Sequence, residues 1–395
     1  MKILVLSSLY PNDAQPRHGI FIEHRVSHVA LPEDEIRVVA PVPWFPLSHR
    51  AFGGYATFAR VPRADRRRGL AITHPRHLVV PKLPRLTPRL MAAALKPHLT
   101  AIRRDFAFDV IDSYYLYPDG VAAGMLAEAF DVPVVMTALG SDVSLIAQAP
   151  RERAMIVAAT RGAAMTTTVC GALRDELIAV GAAADGVEVV EHGVDLALFR
   201  PPSDRAALRR ATGMTAPTVL LVGHLIELKG QHLAIRAIAT LPGVRLMLAG
   251  HGPDEAALRA LAVSEGVADR VDFLGHVDQP RLADLYGAAD IVANCSSREG
   301  IANVLLEALA CGTPLVATPV WGSPEVVKVP EAGLLTRDRS IGAIGDAIAA
   351  LLADLPDRAA TRAYAERYDW RETGRRHRAV LAAAVAGHRL RPAHL

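Results

Sequence analysis

A short apolar run, a glycine-bearing loop and a helix-spaced segment recur along the whole chain, and this alternation admits few folds. The runs fall at residues 2–7, 36–40, 109–113, 134–137, 165–169 and 187–190, and again at 218–222, 246–249, 271–274, 289–292 and 315–318. Strand followed by helix, repeated, calls for an α/β architecture of doubly wound, Rossmann-like domains, in which ligands bind beyond the carboxyl ends of the strands. The segment with Phe199, Pro201 and Pro202 has no periodicity and reads as a hinge. A chain of 395 residues is long enough for two cores. The expected division is therefore a first domain over 1–197 and a second over 198–370, with a helical segment over 371–395.

The most informative of these units is residues 298–312, R-E-G-I-A-N-V-L-L-E-A-L-A-C-G. A buried strand at Ala289, Ile291 and Val292 leads into a polar loop, and Val304, Leu305, Ala308 and Leu309 have helical spacing. Gly300 lets a ligand approach the backbone, and the amides near Ile301, Asn303 and Val304 fall at a helix N-terminus suited to diphosphate oxygens. Glu299 and Glu307 would repel such a diphosphate, but carboxylates accept hydrogen bonds from hydroxyls. Glu307 is thus placed to hold a ribose and Glu299 a donor sugar. Alternatively, Glu299 complements the helix N-terminus and Glu307 lies on a solvated face. A glycosidase pair fits less well, since eight helical residues span roughly 12 Å, beyond the roughly 5–9.5 Å such carboxylates need.

Half the residues are hydrophobic and few are aromatic, a composition of α/β proteins and not of disordered or fibrous ones. Cys170, Cys295 and Cys311 form no C-x-x-C pair or zinc spacing, and a reducing cytoplasm is the expected setting. The opening M-K-I-L-V-L-S-S is followed at once by Pro11, Asn12 and Asp13 and reads as a first strand, not a signal peptide. No apolar run reaches the roughly 18 residues of a membrane span. Residues 50–104 hold thirteen Lys or Arg against Asp65 alone. That segment is either a peripheral contact for anionic lipid at the inner membrane face, or for an anionic acceptor, or a solvated basic loop and helix. No nucleic-acid module accompanies it. The preceding stretch with Trp44, Phe45, Phe52, Gly53, Gly54 and Tyr55 is either part of the same surface or a satellite core.

Other loops supply further candidates. Gly19 opens a helix after the first strand, either to admit a ligand or as turn punctuation. Gly223, His224 and Lys229 lie in G-H-L-I-E-L-K-G, where Lys229 could neutralise a departing diphosphate. Gly250 and Gly252 form the turn G-H-G-P, and Leu274 precedes another turn at Gly275. No G-x-x-x-x-G-K-[ST] loop, H-E-x-x-H or G-x-S-x-G is present. No Asp-x-Asp metal motif is present either, so no metal or cofactor is expected, only a nucleotide sugar as substrate.

The 298–312 stretch resembles the nucleotide-sugar motif of glycosyltransferase family 4, and the 223–230 loop resembles that family's phosphate-binding loop. The H-G-I-F-I-E wording from His18 resembles members that build polysaccharides. The resemblance implies a GT-B fold, two Rossmann-like domains facing across a cleft, with the acceptor on the first and the donor on the second. It implies a last helix that crosses back onto the first domain. It also implies a retaining, hexosyltransferase-type and metal-independent enzyme that moves sugar from a nucleoside-diphosphate donor to a glycan or lipid-linked acceptor. Under it Glu299, Lys229 and Glu307 are the central residues, the turns at Gly250, Gly252 and Leu274 hold the base, and Gly19, Tyr114, Leu139 and Gly140 line the acceptor side. The chain departs from the family pattern in having His224 for Arg, His192 for Asn, Leu139 for His or Arg, and Tyr114 where His is frequent. Leu139 and His224 motivate one rival, a weakly catalytic donor-binding paralogue, and a nucleotide-sugar epimerase of the same architecture is the other.

Overall fold

Continuous apolar runs suit strands covered on both faces, and the computed structural model builds its sheets from them. It describes residues 1–390 apart from 17, 45–48, 50–53 and 81, and the side chain of Tyr55 is also outside the description. The expectations for Phe45, Phe52 and Gly53 lie outside the described residues. Two compact units form, Met1–His192 with Trp370–Leu395, and Gly193–Asp369.

In the first unit the strands are β1 (Lys2–Leu6), β2 (Glu35–Val39), β3 (Val42–Pro43), β4 (Ala64–Arg67), β5 (Leu70–Thr73), β6 (Arg76–His77), β7 (Val110–Tyr114), β8 (Val134–Ala138), β9 (Met165–Thr168) and β10 (Val187–Val189). Eight of them make one sheet in the order β10-β9-β8-β7-β1-β2-β5-β4, parallel throughout except that β4 runs antiparallel to β5. The strand order reverses between β1 and β7, so their carboxyl ends open a crevice. β3 and β6 pair separately.

The basic stretch therefore contains more structure than a loop and a helix. β4, reading A-D-R-R, has no apolar face because it is the sheet's edge, where charge discourages further pairing. Its Arg67 donates to the buried Glu23 carboxylate at 2.7 Å.

The final helix, Trp370–Arg389, packs on the helix Ile20–Val29 of the same unit. Val380, Leu381, Ala384 and Val385 join the core formed by Ile3, Val5, Ile22 and Val26. His377 completes a buried polar cluster: its Nε2 lies 3.0 Å from Asp112 Oδ1, and Tyr114 donates its hydroxyl to Asp112 Oδ2 at 2.8 Å.

The second unit holds β11 (Thr218–Val222), β12 (Arg245–Ala249), β13 (Val271–Gly275), β14 (Ile291–Asn294), β15 (Leu315–Ala317) and β16 (Gly333–Leu335). These form a parallel sheet in the order β13-β12-β11-β14-β15-β16, whose reversal falls between β11 and β14.

The close approach of the two helices in the first unit has a checkable cost. A Cβ on Gly374 would lie 2.0 Å from the His28 carbonyl oxygen, so Gly374→Ala must push the last helix outward. We expect a loss of about 1–3 kcal/mol, measured by denaturant unfolding against the parent chain.

Candidate functional site

The two loops at the reversal of the second sheet are tied together. The Ser297 amide donates to the Leu228 carbonyl at 2.9 Å, and the Arg339 guanidinium bridges Cys295 and Glu227 carbonyls. Gly230 makes the approach feasible: its φ is +73°, and a Cβ there would sit 2.2 Å from the Cys295 oxygen. Lys229 and Glu299 consequently meet as an ion pair, and Ser296 Oγ donates to the same carboxylate at 3.0 Å. Both side chains remain partly open to solvent.

Around this pair the structure gathers most of the residues expected on the donor side. Gly223 lies against the Lys229 methylenes, the Gly250 amide donates to Gly275, and Gly252 abuts the Leu225 carbonyl. Leu274 is half-buried at the end of β13. The Gly300 carbonyl accepts from the Gly322 amide at 3.1 Å, and Ile301 is buried.

The helix Asn303–Ala310 begins after Ala302 with no side-chain cap, so its first-turn amides depend on other acceptors. Asn303 Oδ1 is buried with no hydrogen-bond partner among the described residues. Asn303 and Val304 are half-buried.

Glu307, about one turn into this helix, does not lie on a freely solvated face. It accepts a hydrogen bond from the Tyr286 hydroxyl at 2.8 Å. Burial raises its carboxyl to about 7, against the lowering effect of Tyr286. Tyr286 is itself fully buried and edge-on to Phe199.

His224 is exposed, and its ring meets that of His251 edge-on at 5.3 Å; His251 meets His276 at 5.8 Å. A row of imidazoles thus follows the carboxyl ends of β11, β12 and β13. His251 and His276 follow closely on strand ends, the one signal in the sequence that sets them beside His224.

The first unit repeats the pattern with different chemistry. Asp119, fully buried, accepts from both the amide and the hydroxyl of Ser8, the latter at 2.9 Å, across the reversal between β1 and β7. Asp142 accepts from the amides of Leu116 at 2.9 Å and Gly140 at 2.8 Å, and also from Leu139. Leu139 is half-buried and Gly140 buried. Gly19 has φ +66°, and a Cβ there would overlap the Leu9 carbonyl, so the turn itself demands glycine.

Tyr114 is a correction. Expected on the acceptor side, it has no exposed surface, because β7 continues through it and directs its ring at the last helix. Asp119 and Asp142 went unselected in the sequence because only the fold shows where their acceptors are used.

Burial raises Asp119 to about 7, from the usual value near 3.9. A carboxyl whose folded value is raised favours the folded state at low pH, and that contribution is lost as pH rises from about 4 to about 7. Thermal unfolding of Asp119→Asn, compared with the parent across this window, should show the variant gaining relative stability as pH rises. A pH-independent difference would contradict the assignment.

Comparison with known proteins places these features in context. Residues 187–368 match the family of glycosyl transferases group 1, and residues 54–198 match glycosyltransferase family 4. A D-inositol 3-phosphate glycosyltransferase of Xylanimonas cellulosilytica is 35% identical over 297 residues, covering 69% of this chain and 71% of that protein. The enzyme of the same name from Mycobacteroides abscessus is 44% identical over 173 residues, but the match spans only 39% of its length and 42% of this chain. Among solved structures, Anabaena Alr3699/HepE in complex with UDP superimposes with a TM-score of 0.74 at 22% identity, covering 97% of this chain and 100% of that one. The chain belongs to glycosyltransferase family 4 and has the GT-B fold.

Proposed function

We propose that the protein is a retaining, metal-independent hexosyltransferase that uses a nucleoside-diphosphate sugar and delivers the sugar to a glycan or lipid-linked acceptor in glycoconjugate or polysaccharide synthesis. The observation that carries this reading is the Lys229–Glu299 pair at the reversal between β11 and β14, beside an uncapped helix start. A diphosphate entering there meets a cation and backbone amides, so the first-turn amides and Lys229 stabilise the charge of the leaving group. Lys229 then exchanges its carboxylate partner for phosphate oxygens, and Glu299 turns its freed lone pairs to sugar hydroxyls.

In the transfer, an acceptor hydroxyl oxygen bonds to the anomeric carbon as the bond from that carbon to the diphosphate oxygen breaks. Attack comes from the face the diphosphate leaves, and the hydroxyl proton passes to the departing phosphate. The protein's contribution is positioning and electrostatic stabilisation. Glu307 receives the ribose hydroxyls while Tyr286 fixes its carboxylate. UDP in the HepE complex supports a nucleoside diphosphate as the donor class. The setting we propose is the cytoplasm.

A second reading of the acceptor rests on the X. cellulosilytica relative, whose name specifies D-inositol 3-phosphate. Under that reading the acceptor is a small phosphorylated cyclitol.

Two measurements test the proposal. Glu299→Ala should lower transfer by at least about 100-fold while nucleoside-diphosphate affinity holds or tightens, because Lys229 loses its competing partner. Calorimetry showing lost diphosphate binding with full turnover would overturn the role of Glu299. Donor incubated alone, then with glycan, lipid-linked and inositol phosphate acceptors, tests the reaction class. Transfer to one acceptor class with the anomeric configuration kept is the expected result. An epimer from donor alone, or bound donor that is never consumed, would overturn it.

A further inference from the structure

Four of the ten large apolar side chains most exposed among the described residues lie in one corner of the first unit: Trp44 (50% exposed), Leu78 (55%), Val79 (39%) and Leu83 (37%). The β3–β6 pair creates this corner. Pro43 pairs with His77, and the Trp44 amide donates to the His77 carbonyl at 2.7 Å, so Trp44 and Leu78 leave the ribbon side by side. The corner is anchored from below, since the buried Tyr117 donates its hydroxyl to the Pro84 carbonyl at 2.6 Å.

The helix Thr87–Arg103 starts at this corner. Met91, Leu95 and Leu99 bury its inner face, and Arg89, Ala93, Lys96 and Thr100 form the outer one. Lys82 and Arg85 precede it and Arg104 follows, all exposed. No acidic residue occurs between Arg66 and Arg104.

The neighbouring cations are already engaged: Arg67 and Arg68 on Glu23, Arg76 on backbone carbonyls, Arg103 on the rings of Phe108 and Phe130. Lys82, Arg85, Arg89, Lys96 and Arg104 have no ion-pair partner among the described residues. Arg89, Lys96 and Arg104 follow one side of the helix for roughly 22 Å, and Lys82 and Arg85 lie exposed just before its start.

We propose that this face docks the first unit on a membrane rich in anionic lipid headgroups, with Trp44, Leu78, Val79 and Leu83 entering the headgroup boundary and the basic stripe lying along the phosphates. A straight line of cations matches a charged plane better than a pocket-sized ion does. A soluble anionic acceptor would draw nothing from the apolar corner, whereas indole and leucine side chains gain from the interface. The inference is separate from the identity of the transferred sugar, and its readout does not involve transfer.

The full chain should co-sediment with mixed phosphatidylglycerol–phosphatidylcholine vesicles and not with phosphatidylcholine alone. High salt should weaken that binding. Brominated lipid should quench tryptophan emission in the parent and lose that effect in Trp44→Phe. The double variant Trp44→Ser with Leu78→Ser, and the triple variant Lys82→Glu with Arg85→Glu and Arg89→Glu, should each bind the anionic vesicles at least about tenfold less. Both should keep the parent's thermal shift with UDP, which separates lost docking from lost folding. The proposal is overturned if the parent ignores anionic vesicles or binds neutral ones equally. It is also overturned if a soluble polyanion binds this face and vesicles do not, or if the corner proves to join two copies of the chain in lipid-free sedimentation.

Discussion

A lysine and a glutamate from two loops that diverge at a strand-order reversal set the arrangement of the second unit. Lys229 and Glu299 are seventy residues apart in sequence, and each is delivered by a separate βα unit. Their pairing requires the loops to approach closely. That in turn requires glycine at 230, the Ser297–Leu228 hydrogen bond and the Arg339 bridge. Under the function proposed above, a diphosphate sugar separates the two groups; the attraction between them is what that ligand replaces on both sides, and one with only a phosphate or only hydroxyls replaces half of it.

The first unit handles the same topological position with neutral or near-neutral chemistry. Asp119 and Asp142 are buried there and spend their lone pairs on backbone amides and Ser8. These carboxylates hold the loops at the reversal in place. The second unit thus presents an ion pair at its reversal, while the first, among the described residues, spends these two carboxylates on its own loops.

Much of the fold could be read along the chain because both sheets are mostly parallel and buried, which makes strands into continuous apolar runs. β4 escaped because an edge strand has no need of apolar residues. Tyr114 was misplaced by a single residue of strand extension, enough to move its side chain from a loop to the core. That Lys229 and Glu299 sit beyond strand ends and Glu307 on a helix was legible, but their partners were not. Tyr286 against Glu307, Ser296 against Glu299 and the row His224, His251 and His276 depend on which helices and strand ends become neighbours. Only tertiary packing decides that.

The first unit is assembled from two segments that flank the second in sequence, and this bears on synthesis. Its core includes Val380, Leu381, Ala384 and Val385, and its buried Asp112 depends on His377. A ribosome makes residues 1–192 first, yet they lack this apolar cover and leave Asp112 short of a partner until the last helix emerges. The second unit, continuous in sequence, has all of its parts earlier. The nascent chain should thus complete its second unit while the first waits half-covered, the stage at which a holding chaperone would have the most apolar surface to grip.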